Sequence, residues 1–124
     1  VAGRVAPRRV LVVDDNADAA DSMGDMLRLM GHEVLVAHAA GAALAQVDAF
    51  APDWAMLDLN MPDMDGCTLL HALRERPGLA DLRAAAVTGY GQPQDRERSL
   101  VAGFDAHLIK PVEIAQVGAL MASP

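Results

Sequence analysis

Three aspartates, a threonine and a lysine carry the chemistry this chain offers. Asp14 and Asp15 stand together after the apolar run Val10-Leu11-Val12-Val13, and Asp58 follows Trp54-Ala55-Met56-Leu57. Thr88 follows Ala84-Ala85-Ala86-Val87, and Lys110 follows Ala106-His107-Leu108-Ile109. Lys110 is the single lysine among ten basic residues, the other nine being arginine. Two carboxylates about 4 Å apart repel by roughly 4 kcal/mol at an effective dielectric of about 20, so three brought together need a cation. Oxygen-only ligands with room for water suit Mg²⁺, which shares its remaining positions with phosphate oxygens. In such a site one carboxylate can attack phosphorus as a nucleophile. Thr88 can donate a hydrogen bond to a phosphoryl oxygen, and Lys110 can reach the same group as a point charge. The metal offsets charge developing during phosphoryl transfer. A lone aspartate after a strand often just caps the next helix. Asp14 and Asp15 cannot both cap one helix, and Asp58 precedes a loop, which weakens that simpler reading.

The elements that must position these residues alternate along the chain. Val10–Val13 is a short, β-branched apolar run, as expected of a strand buried on both faces of a parallel sheet. Ala19, Met23, Met26, Leu27 and Met30 recur at helical spacing, with Gly31 placed to end the helix. Val34–Ala37 reads as a second strand, and Ala42, Leu44, Ala45 and Val47 as the face of a second helix. Trp54–Leu57 is the third strand, the segment 60–66 is turn-rich, and Leu69, Leu70 and Leu73 mark a third helix. Ala84–Val87 is the fourth strand. A helix opens at Pro93 and closes at Gly103. Ala106–Ile109 is the fifth strand, and Ile114, Val117, Leu120 and Met121 face the core from a last helix. Five strand–helix units predict an α/β domain, a doubly wound five-stranded parallel sheet with helices on both faces. In such a sheet ligands bind beyond the carboxyl ends of the strands, where the five reactive side chains all fall.

Composition narrows the function classes. The 124 residues are 52% hydrophobic and 22% charged, which suits one folded domain. A net charge of −7 disfavours phosphate-backbone binding, so no nucleic-acid partner is expected for this domain. The longest stretch without a charged residue, Val34–Val47, has 14 residues, short of the roughly 20 that span a bilayer. One cysteine, Cys67, cannot form an internal disulfide, which suits a reducing, cytoplasmic location. The chain does not begin with Met and is expected to be cut from a longer protein. A domain over 9–122 is expected, with 1–8 as a flexible segment or linker.

The segments Val10-Leu11-Val12-Val13-Asp14-Asp15-Asn16, Met56-Leu57-Asp58-Leu59-Asn60-Met61-Pro62-Asp63-Met64-Asp65-Gly66, Val87-Thr88-Gly89 and Leu108-Ile109-Lys110-Pro111 together resemble the receiver domain of two-component response regulators, of the chemotaxis-regulator-like kind. The resemblance implies a flavodoxin-like (βα)5 fold with strand order 2-1-3-4-5. It implies that Asp58 accepts a phosphoryl group from a histidine kinase or histidine phosphotransfer domain. It also implies that Asp14, Asp15, Asp58 and the backbone carbonyl of Asn60 hold Mg²⁺, and that Thr88 and Lys110 bind and respond to the phosphoryl group. The implied output is a changed surface on the fourth helix, fifth strand and fifth helix. A cis peptide at Lys110–Pro111 is implied, and kinase docking beside Asp18, Ala19 and Ser22.

This sequence departs from the family pattern at His107, where an aromatic switch residue usually stands. His107 either fills the same space or senses pH. Asn60 and Tyr90 occupy the positions expected to govern phosphoryl lifetime. Cys67 is expected to pack at the start of the third helix. The rival reading is a Mg²⁺-dependent phosphohydrolase with an aspartyl-phosphate intermediate. The haloacid-dehalogenase type of such enzyme needs a second acid two residues after the nucleophile, and Asn60 stands there. The receiver is expected to be a phosphoacceptor and no enzyme toward other substrates. The phrase from Phe104 to Val112 resembles receivers attached to hybrid sensor kinases, and a stand-alone regulator fits as well.

Overall fold

The computed structural model describes residues 7–89 and 93–122. Their elements alternate as β1 (Arg9–Val13), α1 (Ala17–Leu29), β2 (Glu33–Ala37), α2 (Ala40–Phe50), β3 (Trp54–Asp58), α3 (Gly66–Arg74), β4 (Arg83–Thr88), α4 (Pro93–Ala102), β5 (Ala106–Ile109) and α5 (Ile114–Ala122). The strands form one parallel sheet in the order β2-β1-β3-β4-β5.

Alternate residues of the inner strands supply two separate cores. On one face Leu11, Val13, Ala55, Leu57, Ala84 and Ala86 pack against α2 and α3 through Ala43, Val47, Leu69, Leu70 and Leu73. On the other, Val10, Val12, Trp54, Met56, Ala85 and Val87 pack against α1 and α5 through Met23, Leu27, Val117 and Met121. All five β3 side chains are buried, including the terminal Asp58. β2 lies at the sheet edge and is only partly covered.

Three helix faces differ from the periodicity reading. In α2 the buried positions are Ala40, Ala43 and Val47, while Ala42 and Ala45 are exposed. An alanine-rich helix carries little contrast between its faces, so neighbouring residues rather than its own pattern set its rotation. In α1 Ala20 and Gly24 take the inward places beside Met23 and Leu27. A Cβ at Gly24 would lie 2.7 Å from Val36 Cγ2, so the helix rides close over β2. Ile114, at the first turn of α5, is 57% exposed rather than part of the core face.

Gly31 and Gly103 end α1 and α4 with φ of 94° and 96°, the left-handed geometry that glycine adopts cheaply. Residues 1–6 of the expected N-terminal segment lie outside the described residues. Arg8, at its end, is held: its backbone N–H donates to His32 Nδ1 at 3.0 Å and its Nε to the carbonyl of Met121 at 2.9 Å.

Candidate functional site

The carboxyl ends of β1, β3, β4 and β5 meet at one rim because the parallel register leaves all four strands ending side by side. Asp14 follows β1 and Asp58 ends β3, both almost wholly buried, while Asp15 is exposed. One carboxylate oxygen from each of the three lies within 4.8 Å of the others. None of them caps α1. That place is taken by Asn16, whose side chain accepts from the backbone N–H of Ala19 at 3.1 Å. Instead Asp14 Oδ1 accepts from Asn16 N–H at 2.9 Å, and Asp58 Oδ1 from Asn60 N–H at 3.0 Å. Each aspartate thus turns the chain away from the sheet and keeps its other oxygen toward the rim.

Burial pushes the Asp58 carboxyl up to about 6, with the neighbouring Asp14 adding to the rise and Asn60 N–H and Lys110 opposing it. A carboxyl held this far above its ordinary range is one whose negative charge is under-compensated. The donor set is all oxygen. Both features fit a hard divalent cation.

Lys110 reaches in from the end of β5. Its Nζ is 2.7 Å from Asp14 Oδ2 and 3.9 Å from Asp58 Oδ2. The resemblance aims this lysine at Asp58; in the structure Asp14 holds it more closely. Its backbone N–H donates to the carbonyl of Thr88 at 2.8 Å, and the Lys110–Pro111 peptide is cis. Thr88, the last residue of β4, is fully buried.

Several contributors were not legible as site residues. A Cβ at Gly66 would lie 2.5 Å from the carbonyl oxygen of Asp58, so α3 starts against the strand end through a residue without a side chain. The turn-rich motif marked this glycine, but only the packing shows why it is needed. Asp65 caps α3 by accepting from Thr68 N–H at 2.8 Å. Asp63 Oδ2 accepts from the N–H groups of Ala40 and Gly41, at the start of α2. Nothing local in the sequence pairs residues 63 and 40.

His107 lies under α4. The Ser99 hydroxyl is 2.8 Å from the carbonyl of Arg96 and 3.1 Å from His107 Nδ1. A hydroxyl has one proton and a carbonyl has none, so Ser99 donates to Arg96 and accepts from His107 Nδ1–H. That leaves Nε2 as a buried acceptor without a partner among the described residues. Burial and the nearby Arg96 lower the His107 pKa, against Asp95. Tyr90 lies outside the described residues. Cys67 packs at the start of α3, partly buried, with its thiol 3.8 Å from the carbonyl of Arg98.

Ala19 and Ser22 help line a cavity of about 410 Å³ beside the rim, together with Met23, Met26, Met56 and Lys110. Asp18 is exposed on the same helix and is not among the lining residues. Among the described residues no helix is long and apolar enough to cross a membrane.

Comparison with known proteins agrees with this fold. Residues 10–122 match the response regulator receiver domain family. An uncharacterised 14.6 kDa protein of Leptolyngbya boryana is 38% identical over 109 residues, covering 88% of this chain and 83% of that protein. The transcriptional regulatory protein PrrA of Mycobacterium leprae is 37% identical over 113 residues. That match covers 91% of this chain and 48% of PrrA, so the chain spans about half the length of this relative. A CheY-like receiver domain protein from Methanospirillum hungatei superposes with a TM-score of 0.80 at 35% identity, over 94% of this chain and 91% of that one. The chemotaxis protein CheY4 of Vibrio cholerae superposes with a TM-score of 0.86 at 25% identity, over 94% and 97%.

Proposed function

Because the chain belongs to the response regulator receiver domain family, we propose that it is a phosphoacceptor switch in which a carboxylate oxygen of Asp58 is the reacting atom. The observation that carries this reading is the gathering of Asp14, Asp15 and Asp58 within 4.8 Å at the rim that Lys110 also reaches. The donor is a phosphohistidine of a histidine kinase or histidine phosphotransfer domain. The Asp58 oxygen attacks phosphorus as the P–N bond breaks. The electron pair leaves on the imidazole nitrogen, which takes a proton from solvent.

Asp14, Asp15, Asp58 and the backbone carbonyl of Asn60 would hold Mg²⁺, which supplies positive charge opposite the phosphoryl oxygens. Thr88 and Lys110 bind the phosphoryl group after transfer. Lys110 gives up its closer contact with Asp14 to do so, and the change reaches the surface of α4, β5 and α5. Partner docking falls on α1 at Asp18, Ala19 and Ser22, beside the methionine-lined cavity. The domain is read as residues 9–122, cytoplasmic, acting on no other substrate and binding no nucleic acid itself. The transcriptional regulation that PrrA is named for would then belong with the half of it that this chain does not match.

The test is incubation with acetyl phosphate and Mg²⁺, followed by intact-mass spectrometry. The expected result is one added phosphoryl group per chain, removed by hydroxylamine and absent in Asp58→Asn or after chelation. Asp58→Asn labelled as fully as wild type would overturn the assignment. Sustained turnover of acetyl phosphate with no phosphorylated chain would favour the phosphohydrolase reading.

A further inference from the structure

Helix α2 supplies no cap for itself. Its N-cap position is Ala39, which offers no side-chain acceptor, and its first turn carries no acid. The acceptor comes from the loop between β3 and α3. Asp63 Oδ2 takes the backbone N–H of Ala40 at 3.0 Å and that of Gly41 at 3.3 Å. An exposed carboxylate from 22 residues away therefore sits on the positive end of α2.

The contact restrains both sides. α2 is anchored through Ala40, Ala43 and Val47, each fully buried, so it is the fixed partner. The loop 59–65 is the part that needs holding. It is tied near its start by Asn60 N–H on Asp58 Oδ1 at 3.0 Å, and near its end by Gly66 N–H on the carbonyl of Leu59 at 3.1 Å. Met61 is buried between them, while Asn60, Pro62 and Asp63 are exposed. Asp63 supplies a tether from this exposed stretch to a body outside the loop.

We propose that Asp63 is a positioning residue for the metal site: by tying the loop to α2 it sets where the Asn60 carbonyl stands relative to Asp14, Asp15 and Asp58. The inference rests on reading that acidic cluster as a Mg²⁺ site. Mg²⁺ demands near-ideal octahedral geometry and tolerates a wandering ligand poorly. Groups that hold a ligand in place typically carry about 10–100-fold in metal affinity.

The test titrates MgCl₂ into the whole chain by calorimetry at constant ionic strength, alongside thermal melts. D63A is expected to bind Mg²⁺ about tenfold more weakly than wild type. D63N, whose amide oxygen accepts the same two bonds, is expected to bind close to wild type. A39D combined with D63A gives α2 a cap of its own; it should regain melting temperature while Mg²⁺ affinity stays weak. Three results overturn the proposal: unchanged affinity in D63A, recovery of affinity in the double variant, or a loss in D63N equal to that in D63A. The second makes Asp63 a helix cap only, and the third makes its charge the active feature. Wild type that binds no Mg²⁺ would instead remove the reading of the acidic site, and this proposal with it.

Discussion

Lys110 Nζ lies 2.7 Å from Asp14 Oδ2 but 3.9 Å from Asp58 Oδ2, so Asp14 holds the lysine more closely than does the proposed phosphoacceptor. Its ammonium and a divalent cation at the acidic cluster would compete for the same negative charge. A phosphoryl group on Asp58 gives the lysine a reason to move.

Lys110→Ala should therefore bind Mg²⁺ more tightly than wild type, by about fivefold, on the order of 1 kcal/mol for a partly exposed pair. Calorimetric titration checks this. Weaker binding in the variant would mean that Lys110 supports the metal site instead of competing with it.

The raised Asp58 pKa of about 6 makes a signed prediction for the metal-free protein. The folded state holds a proton that the unfolded chain, near 3.8, gives up, so this group loses stability as pH rises from about 4 through 6. Melting temperatures of wild type should fall relative to Asp58→Asn across that window, and millimolar Mg²⁺ should close the gap above it. Parallel curves for the two proteins would count against the shift.

Gly66→Ala forces a Cβ to within 2.5 Å of the Asp58 carbonyl oxygen. A backbone atom cannot swing aside, so about 1–3 kcal/mol of stability should be lost. Phosphorylation by acetyl phosphate should slow as well, since the strain falls on Asp58, the proposed phosphoacceptor. Urea denaturation and a labelling time course measure the two effects, and a variant as stable as wild type would show that α3 can shift freely.

Ser99→Ala leaves the half-buried His107 Nδ1–H without its acceptor, at a cost of about 1–3 kcal/mol. Burial lowers the His107 pKa, so its contribution is lost as pH falls below the ordinary histidine value, where the unfolded chain takes up the proton first. His107→Phe should lose less stability than wild type between pH 7 and about 5. Equal losses in denaturant titrations would exclude His107 as a pH-sensitive contact.

Substitution of Ala19 or Ser22 by a bulky residue should slow transfer from a phosphohistidine donor while sparing labelling by acetyl phosphate. Both residues line the cavity that Asp14 and Lys110 also line. Equal loss with both donors would mean that the site itself was damaged.

The α/β alternation, the parallel sheet and the candidate site residues were legible in the sequence because each rests on local pattern. Buried central strands read as apolar runs, and side chains just past those runs must lie at one rim. The strand order and the proposed metal ligands came from the resemblance carried by four motifs. Tertiary structure alone decided contacts that join residues far apart in the chain. It turned Ala43 rather than Ala42 inward, because an alanine-rich helix has no strong face of its own. It brought Asp63 to Ala40 and Ser99 to His107, where one partner offers a bare N–H or ring nitrogen with no signal of the other. It also placed Lys110 nearer Asp14 than Asp58, since residue types name the possible ion pairs but only the packed distances select among them.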